Sequence, residues 1–333
     1  MKTKISILVS AAALAISAGV SPALAGPTVE VISTFDYPGT GNLTRPQKIN
    51  DKGEIIGIYL DPSLVSRGFV RFRNGRFSPP IVAPDDTGND TEGRGINNSR
   101  LACGDYLDSA TGTFHGFFLT GRDFMNYDVP GSTTTIVLGV NNANDFCGSA
   151  TINSVQQGFV SIGGTVTAFA VPRAVSSLVY QINDSNESCG YFIDAIGDTH
   201  GFYRDSDGTI HSPVDPPGGS QTILFGNNNS NIIVGRYFEN ATGITHGIVF
   251  FPPGKLLVYD YPGSTYTSLN GINNSNVMVG RYLDASGIEH GIIARLVPGG
   301  TAANEIELQP GNVKPLPAGA AGAAGAIGQQ PAS

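Results

Sequence analysis

The chain has 333 residues, of which 44 are glycine and only 14% are charged, and its formal net charge is −8. An acidic protein is a poor partner for a phosphate backbone, so we expect no nucleic-acid partner. The low charge and the many turn residues favour a fold of short strands joined by tight turns.

The first 25 residues have the features of a secretory signal peptide. A basic start at residues 2–4 precedes an apolar stretch at residues 5–20, and small residues surround a cleavage point after Ala25. The apolar stretch is short for a membrane span, and no later segment is long enough. We therefore expect a secreted or periplasmic protein that begins at Gly26 and has no membrane span.

A repeat of about 45 residues follows, and its most regular part is a turn that begins with asparagine. An asparagine side chain bonds the main chain two residues on, which favours a tight turn between two strands. In every copy a glycine stands seven residues after the asparagine. The six copies are Asn50 to Gly57, Asn97 to Gly104, Asn141 to Gly148, Asn183 to Gly190, Asn228 to Gly235 and Asn273 to Gly280.

Two further signatures recur in the same order in the repeat. One is a polar residue, usually histidine, before glycine and an apolar run, as in His115-Gly116 and His290-Gly291. The other is Asp-x-Pro-Gly, as at residues 128–131 and 260–263. A full copy offers four runs that are short enough for strands and lack a helical period. Units of this kind are typical of β-propeller blades.

The two ends of the repeat region complement each other. The sixth copy stops after three strands, whereas the mature chain opens with an unmatched strand at residues 29–35. We therefore predict an all-β, six-bladed β-propeller over residues 26–298, with four strands per blade and the N-terminal strand completing the last blade. Residues 299–333 are low in complexity and predict a disordered tail, and a monomer is the expected oligomeric state.

These signatures resemble the tandem repeats of bacterial extracellular proteins of the HAF type. Units of that family also couple an Ile-Asn turn and a Val-Gly strand to a His-Ala/Gly-Phe strand, as do Ile49-Asn50, Val279-Gly280 and His115-Gly116-Phe117 here. The resemblance covers about residues 29–298 and implies propeller-like repeats without implying an activity. Asp-x-Pro-Gly stands here where many such repeats have other turn sequences.

Acids recur four positions after the repeat glycine, and tyrosines recur two positions after it. The acids are Asp61, Asp108, Asp194, Glu239 and Asp284, and the tyrosines are Tyr59, Tyr106, Tyr237 and Tyr282. Loops after the second strand share one face of a propeller with the loops between blades, so we predict one acidic loop face. Aromatic rings beside carboxylates suit a sugar, and carboxylates suit a cation such as calcium.

A structural interpretation of the same residues stands beside the functional one. An acid in each repeat caps a turn equally well, and a tyrosine in each repeat fills the core between blades. No Asp-x-Asp-x-Asp-Gly run supports a calcium-binding loop. Histidine occupies one repeat position in four copies, which favours a hydrogen bond between strands. The third copy departs from most of these columns, with Ile152 and Gln157, which predicts a pocket, a face for a partner, or simple divergence.

The three cysteines all precede the repeat glycine, at positions 103, 147 and 189. Equivalent positions on neighbouring blades lie too far apart for a disulfide, which needs Cα atoms within about 7 Å. We expect buried small hydrophobic residues, and a metal site built from three thiols is the alternative.

No nucleophile, base and orienting residue form a recognisable set, so no catalytic residue is predicted. We expect an exported binding module that presents its acidic loop face to a glycan, a peptide or an envelope partner. The alternative is a cation-dependent propeller hydrolase or lyase with its site at the central channel, and a passive envelope protein is a third. Non-repeated polar residues that converge on the axis would favour a site there.

Overall fold

The computed structural model describes residues 26–39, 43–84, 90–299, 305–308 and 314–316. The predicted signal peptide and most of the predicted tail lie outside these residues. All regular structure in the described ranges is β-strand, arranged as six antiparallel sheets. None of the described residues belongs to a helix long and apolar enough to cross a membrane.

Each sheet is one blade, and its strands follow one another along the chain. Blade 1 contains β2 (Thr44–Ile49), β3 (Ile55–Leu60) and β4 (Ser66–Arg71). Blade 2 contains β5 (Thr91–Ile96), β6 (Ala102–Asp108), β7 (Thr113–Thr120) and β8 (Asp123–Tyr127). Blade 3 contains β9 (Ser132–Val140), β10 (Phe146–Ile152), β11 (Val155–Ile162) and β12 (Thr165–Phe169).

The other three blades recruit strands from the two ends of the chain. Blade 4 contains β13 (Ala174–Ile182), β14 (Ser188–Asp194), β15 (Thr199–Arg204), β16 (Ile210–Val214) and β25 (Lys314–Leu316). Blade 5 contains β17 (Gly219–Asn227), β18 (Ile233–Glu239), β19 (Ile244–Phe251), β20 (Lys255–Tyr259) and β24 (Glu305–Glu307). Blade 6 contains β21 (Thr267–Ile272), β22 (Val277–Leu283), β23 (Glu289–Val297) and β1 (Thr28–Phe35).

The six-bladed propeller predicted from the repeats is confirmed, but the number of strands varies from blade to blade. Blade 1 has three strands, because Pro79 and Pro80 cannot donate to a ladder and the chain there makes only isolated bridges at Phe77 and Ile81. Blades 4 and 5 each gain a fifth strand from the region where we expected a disordered tail. β1 pairs antiparallel with β23, with Thr28 opposite Val297.

One ion pair and a few apolar contacts explain why a strand forms in the tail region. β24 pairs with β20 on the outer edge of blade 5, and Glu305 forms an ion pair with Lys255 at 2.7 Å. Leu308 is 5% exposed and packs into the core between blades 4 and 5. An Ala- and Gly-rich composition hides these few anchoring residues from a prediction based on the average of the segment.

The repeat asparagines form a ring of hydrogen bonds around the axis. Each donates its Nδ2 hydrogen to the main-chain oxygen of the corresponding asparagine in the next blade, over 2.9–3.3 Å, and the sixth donates to the first. Each Oδ1 atom also accepts main-chain N–H hydrogens within its own turn, as Asn141 does from Ala143 and Asp145. One side chain therefore both shapes the turn and joins two blades. We call this end of the ring the turn end.

Candidate functional site

The loop face lies at the opposite end of the ring, and the five predicted acids stand on it. Asp108, Asp194 and Glu239 end second strands, and Asp61 and Asp284 follow directly after them. Asp61, Asp194 and Asp284 each accept two main-chain N–H hydrogens at Oδ1, from residues two and four positions on. Asp108 and Glu239 accept hydrogens from nearby threonine hydroxyls. The hydrogen bond from the Ile288 N–H lowers the pKa of Asp284 below its usual range. These acids therefore cap turns.

Histidines connect the same acids to the loops between blades. In four blades a histidine Nδ1 lies 2.6–2.9 Å from the aspartate of an Asp-x-Pro-Gly segment: His115 with Asp128, His200 with Asp215, His246 with Asp260 and His290 with Asp36. In three of them Nε2 lies 3.4–3.5 Å from the turn-capping acid. The hydrogen bond with Asp215 raises the pKa of His200. Repeated bridges of this kind hold two loops together.

The four predicted tyrosines lie mainly inside the blades. Tyr59, Tyr106 and Tyr237 are no more than 5% exposed, and Tyr282 stacks on Tyr261 with 3.7 Å between ring centroids. Burial raises the pKa of Tyr237 to about 12. These rings therefore pack in the core, which is the alternative that the sequence left open.

A different set of side chains reaches the axis, because every innermost strand contains the same β-bulge. In each blade the register between first and second strands skips one residue, three positions before the ring asparagine. A bulge re-aims the side chain of the extra residue. The skipped residues are Gln47, Arg94, Leu138, Tyr180, Phe225 and Asn270, and no two are the same.

Charged and phenolic side chains meet around the axis on the loop-face side, and we call them the axial cluster. Its members are Arg45, Glu92, Arg94, Asp105, Tyr180, Tyr191, Arg236, Tyr266, Arg281 and Glu289, which come from five of the six blades. Blade 3 supplies no charged residue there, since its equivalent positions hold Leu138 and Ser149. The cluster contains four arginines and three carboxylates, so its formal charge is slightly positive.

One half of the axial cluster is built on blade 2. Arg94 donates from Nε to Asp105 Oδ1 at 2.8 Å and also bonds Glu92. The Asp105 side chain is 1% exposed, whereas those of Arg94 and Glu92 are each 19% exposed. Burial raises the pKa of Asp105, and the neighbouring Arg94 opposes that rise. A buried carboxyl with a raised pKa, beside other charged groups at a propeller axis, is typical of functional sites.

The other half joins blades 1, 5 and 6. Glu289 accepts from Arg45 at 2.8 Å and from Arg281 at 2.9 Å. The Tyr266 hydroxyl accepts from Arg281 at 2.6 Å and from Arg236 as well, and both guanidinium groups also lie over its ring. The Nε atoms of Arg236 and Arg281 are buried without a partner among the described residues. Two arginines thus converge on one phenol and retain unused donors.

Lys48 lies along the channel between the axial cluster and the turn end. Its Nζ donates to the main-chain oxygens of Phe225 in blade 5 at 2.7 Å and of Asn270 in the adjacent blade 6 at 3.2 Å. Burial lowers the pKa of Lys48 to about 8. Four other blades have glycine at this position, where the innermost strands of neighbouring blades pack closely, and Lys48 is the one charged residue among the six.

Sequence reasoning missed the axial cluster, although a signal for it was present. The columns that keep one residue type, such as asparagine, glycine and histidine, all have structural roles. The columns that vary are the bulge position and the position just after the repeat glycine, which holds Ile58, Asp105, Ser149, Tyr191, Arg236 and Arg281. Variation among polar and charged residue types at one repeat position, from one blade to the next, is the feature that points to the site.

The structure also bears on the possible metal sites and on the three cysteines. The described part of the chain contains no group of three or more histidine, cysteine or acidic side chains placed to hold a metal. Cys103, Cys147 and Cys189 are free thiols with no exposed surface. Calcium at the acidic loop face stays a prediction.

Comparison with known proteins finds only distant structural similarity. No protein-family model matches the chain, and no curated protein is similar to it in sequence. A catalytically inactive virginiamycin B lyase from Staphylococcus aureus is 9% identical over 81% of this chain and 100% of that one, with a TM-score of 0.45. The BP39L lectin from Burkholderia pseudomallei is 10% identical over 82% and 86%, with a TM-score of 0.46. Similarity at this level carries no argument about activity.

Proposed function

We propose that this protein is an exported binding module whose ligand-binding site is the axial cluster on the loop face. The observation that carries the proposal is the convergence of four arginines, three carboxylates and three tyrosines from five blades on one axis. Burying charges costs stability, and paired charges in a core are often replaceable by apolar residues without loss. A cluster of this kind is therefore better explained by recognition than by folding.

The contrast between columns of the repeat supports the same site. Residues that repeat around the ring cap turns, bridge loops or fill the core, and these roles account for them. Apart from Arg236 and Arg281, which occupy the same repeat position, the axial residues differ from blade to blade and make one asymmetric surface. This modifies the site expected from the sequence: the acids at positions 61, 108, 194, 239 and 284 form a rim, and the ligand contacts the centre.

The chemistry of the cluster favours a glycan among the expected partners. Guanidinium groups and phenols donate hydrogen bonds, carboxylates accept them, and both stand beside aromatic rings, as hydroxyl-rich ligands require. The guanidinium groups that converge at Tyr266 and the slight positive charge of the cluster favour a sugar that carries a carboxylate. The HAF-type relationship and the secreted or periplasmic location remain part of this proposal, with the monomer as the expected form.

The experiment is a binding titration against a panel of neutral and uronic-acid oligosaccharides. Arg236→Gln and Tyr266→Phe each remove donors from the cluster, and we expect them to weaken binding about tenfold or more, which corresponds to about 1.4 kcal/mol. The matched control is Arg122→Gln, because Arg122 is exposed in the outer hairpin of blade 2 and should bind as the wild type does. If no glycan binds, or if the axial variants bind as well as the control, the proposal is wrong.

A hydrolase or lyase acting at the same site is the second candidate, and one observation favours it. Asp105 is a buried carboxyl with a raised pKa, and no other blade has an acid at its repeat position. Prolonged incubation of the bound oligosaccharide tests this, with product detection by mass spectrometry. Cleavage that is lost in Asp105→Asn while binding persists would establish an enzyme. If the oligosaccharide stays intact with the wild-type protein, the enzyme hypothesis is wrong and only the binding function is left.

A further inference from the structure

The turn end of blade 1 carries a group of basic side chains, although the protein as a whole is acidic. β4 ends at Arg71, which pairs with Ile55 just after the asparagine-led turn. The hairpin that follows β4 therefore lies at the turn end, and its sequence over residues 71–76 is Arg-Phe-Arg-Asn-Gly-Arg. Two more basic residues come from the asparagine-led turns of blades 1 and 2. We call the whole group the basic patch, and its members are Lys52, Arg71, Arg73, Arg76 and Arg100.

Three members of the basic patch stand close together on exposed turns of blade 1. Arg73 packs against the asparagine-led turn, since a Cβ atom added at Gly53 would lie 3.6 Å from Arg73 Cγ. Lys52 directly precedes Gly53, and Arg76 closes the hairpin, where its main-chain oxygen accepts from the Phe72 N–H at 2.8 Å. Lys52, Arg73 and Arg76 are all exposed. Their charges therefore face solvent within one small area.

Aromatic rings hold the other two members in place. Arg71 Cζ lies 4.7 Å from the centroid of the Phe35 ring, and Arg100 Cζ lies 5.7 Å from that of Phe72. Arg100 belongs to blade 2, so this contact extends the basic patch across the boundary between two blades. A guanidinium group held in this way loses less freedom when an anion binds beside it.

The acids nearby leave the basic patch with an excess of positive charge. Glu54 is bound by Arg100, whose Nε donates to Oε1 at 2.7 Å. Both carboxylate oxygens of Asp51 accept hydrogens from asparagines of the neighbouring blades. Burial lowers the pKa of Arg71, so an added anion would stabilise its charged form. Four members form no ion pair with any residue that the structure describes: Lys52, Arg71, Arg73 and Arg76.

The other blades do not share this concentration of positive charge. In blades 2–5 the equivalent hairpin has at most one basic residue, which is Arg122 in blade 2, Arg204 in blade 4 and Lys255 in blade 5. In blade 4, on the opposite side of the ring, Asp205 and Asp207 follow in the same hairpin. The turn end is therefore positive on one side and acidic on the other.

This distribution of charge favours a narrow polyanion over a broad one. A linear chain can lie along the basic patch at the outer edge of the ring without approaching Asp205 and Asp207. A flat anionic membrane or a nucleic-acid duplex is repelled by these acids and by the net charge of −8. Carboxylates fit the two-pronged donor geometry of guanidinium groups. Short runs rich in arginine, such as residues 71–76, are typical of surfaces that bind acidic polysaccharides.

We propose that the basic patch binds a linear polysaccharide whose sugars carry carboxylates. The site lies at the end of the ring opposite the axial cluster, and none of its residues belongs to that cluster. It needs a chain of several sugars, because its charges are spread over two blades. The protein would therefore hold a long acidic glycan at a place separate from its axial site.

The probe is polygalacturonate at neutral pH, and the control ligand is its full methyl ester, which has the same backbone without the charge. Binding is measured by affinity gel electrophoresis at low and at raised salt. We expect the wild-type protein to bind the acid form and not the ester, and to bind more weakly as salt screens the charges. The double variant Arg73→Gln with Arg76→Gln should bind about tenfold more weakly or worse. Both residues are exposed, so the variant should fold.

Two comparison variants locate the binding. Arg295→Gln also removes an exposed arginine, but Arg295 is paired with Glu30 on blade 6 and lies outside the basic patch, so this variant should bind as the wild type does. Arg236→Gln alters the axial cluster, and in it the polymer should still bind in a manner that salt weakens.

The outcomes separate the alternatives. If polygalacturonate does not bind, or if the double variant binds it as well as Arg295→Gln does, the proposal is overturned. If Arg236→Gln alone abolishes binding, the polymer binds only at the axial cluster and the proposal is again overturned. A single-stranded oligonucleotide or phosphatidylglycerol vesicles that bind the basic patch more tightly than polygalacturonate would show that the class of partner is wrong. None of these results decides whether short oligosaccharides bind the axial cluster, because that site is tested with its own variants.

Discussion

Asn273 donates its Nδ2 hydrogen to the main-chain oxygen of Asn50 over 3.1 Å and so joins the sixth blade to the first. Its Oδ1 atom also accepts from the N–H groups of Ser275 and Val277. We expect Asn273→Ala to lower the free energy of unfolding by about 2–4 kcal/mol, since it leaves buried main-chain groups unpaired. Urea denaturation measures this. Asn274→Ala, at the exposed residue that follows, should cost about 1 kcal/mol or less, and an equal loss in both variants would contradict the importance of the asparagine ring.

Gly190→Ala should prevent stable folding. A Cβ atom at position 190 would overlap the main-chain oxygen of Leu178, which the bulge in β13 pushes towards it, and would meet the Phe202 ring at 3.1 Å. Overpacking against main chain cannot relax, so we expect a loss of about 3 kcal/mol or more and little soluble protein. Gly197→Asn is the control: at its φ of +92° any side chain adds backbone strain, which asparagine bears best, but no atom lies within 4 Å of the new Cβ. Equal yields of the two variants would refute this explanation of the repeat glycine.

Deleting residues 28–35 should lower the melting temperature by about 10 °C or more. The deletion removes β1, leaves β23 unpaired and takes away Phe35, whose ring packs edge-on to Phe69 in blade 1. Deleting residues 305–333 removes two short edge strands instead and should cost less. Scanning calorimetry of both truncations gives the comparison, and a β1 deletion that melts like the undeleted protein would show that blade 6 needs no fourth strand.

The three cysteines should not react with a thiol reagent in the native protein at about pH 8. All three have no exposed surface, and burial raises the pKa values of Cys103 and Cys189 to about 12. Three equivalents should react once denaturant is added, because all three thiols are free. Rapid labelling of the native protein would place at least one thiol at the surface and contradict the burial.

His200 should make part of the stability depend on pH. Its Nδ1 lies 2.6 Å from Asp215 Oδ2, and this hydrogen bond raises its pKa in the folded state. The contribution is therefore fully present below the unfolded pKa of about 6.5 and is lost as the pH rises through the folded value. The urea midpoint should fall over that range in the wild type and fall less in His200→Gln. Parallel curves for the two proteins would rule out a contribution from this histidine.

The ring of blades was predictable from sequence because its causes recur at fixed spacing. Asn141 and Gly148 repeat with their neighbours in every blade, and each has one structural role that a single residue type fulfils. The axial cluster was not predictable in the same way, because it depends on where a side chain points. Arg94 and Tyr180 look like breaks in an alternating strand until the bulge that turns them towards the axis is known.

The strands drawn from the tail show a second limit of sequence analysis. Composition over residues 299–333 predicts disorder, and only the contacts of Leu308 and the ion pair of Glu305 reveal an attachment to blade 5. Local averages cannot register an anchor of a few residues, whereas packing against a formed edge stabilises it. The acids on the loop face show the opposite error. Their regular spacing suggested a binding site, whereas their hydrogen bonds show that they cap turns.

The pairing of β1 with β23 gives the molecule a dependence on complete synthesis. A ribosome makes β1 before every other strand in the described residues, and it makes the strand that accepts β1 only after β2 to β22. Until Glu289–Val297 has been made, β1 has no sheet to join, and blade 1 lacks the neighbour that packs against Phe35. A chain cut short by premature termination or by proteolysis ahead of β23 therefore keeps an open edge that proteases and chaperones recognise, while a full-length chain conceals it.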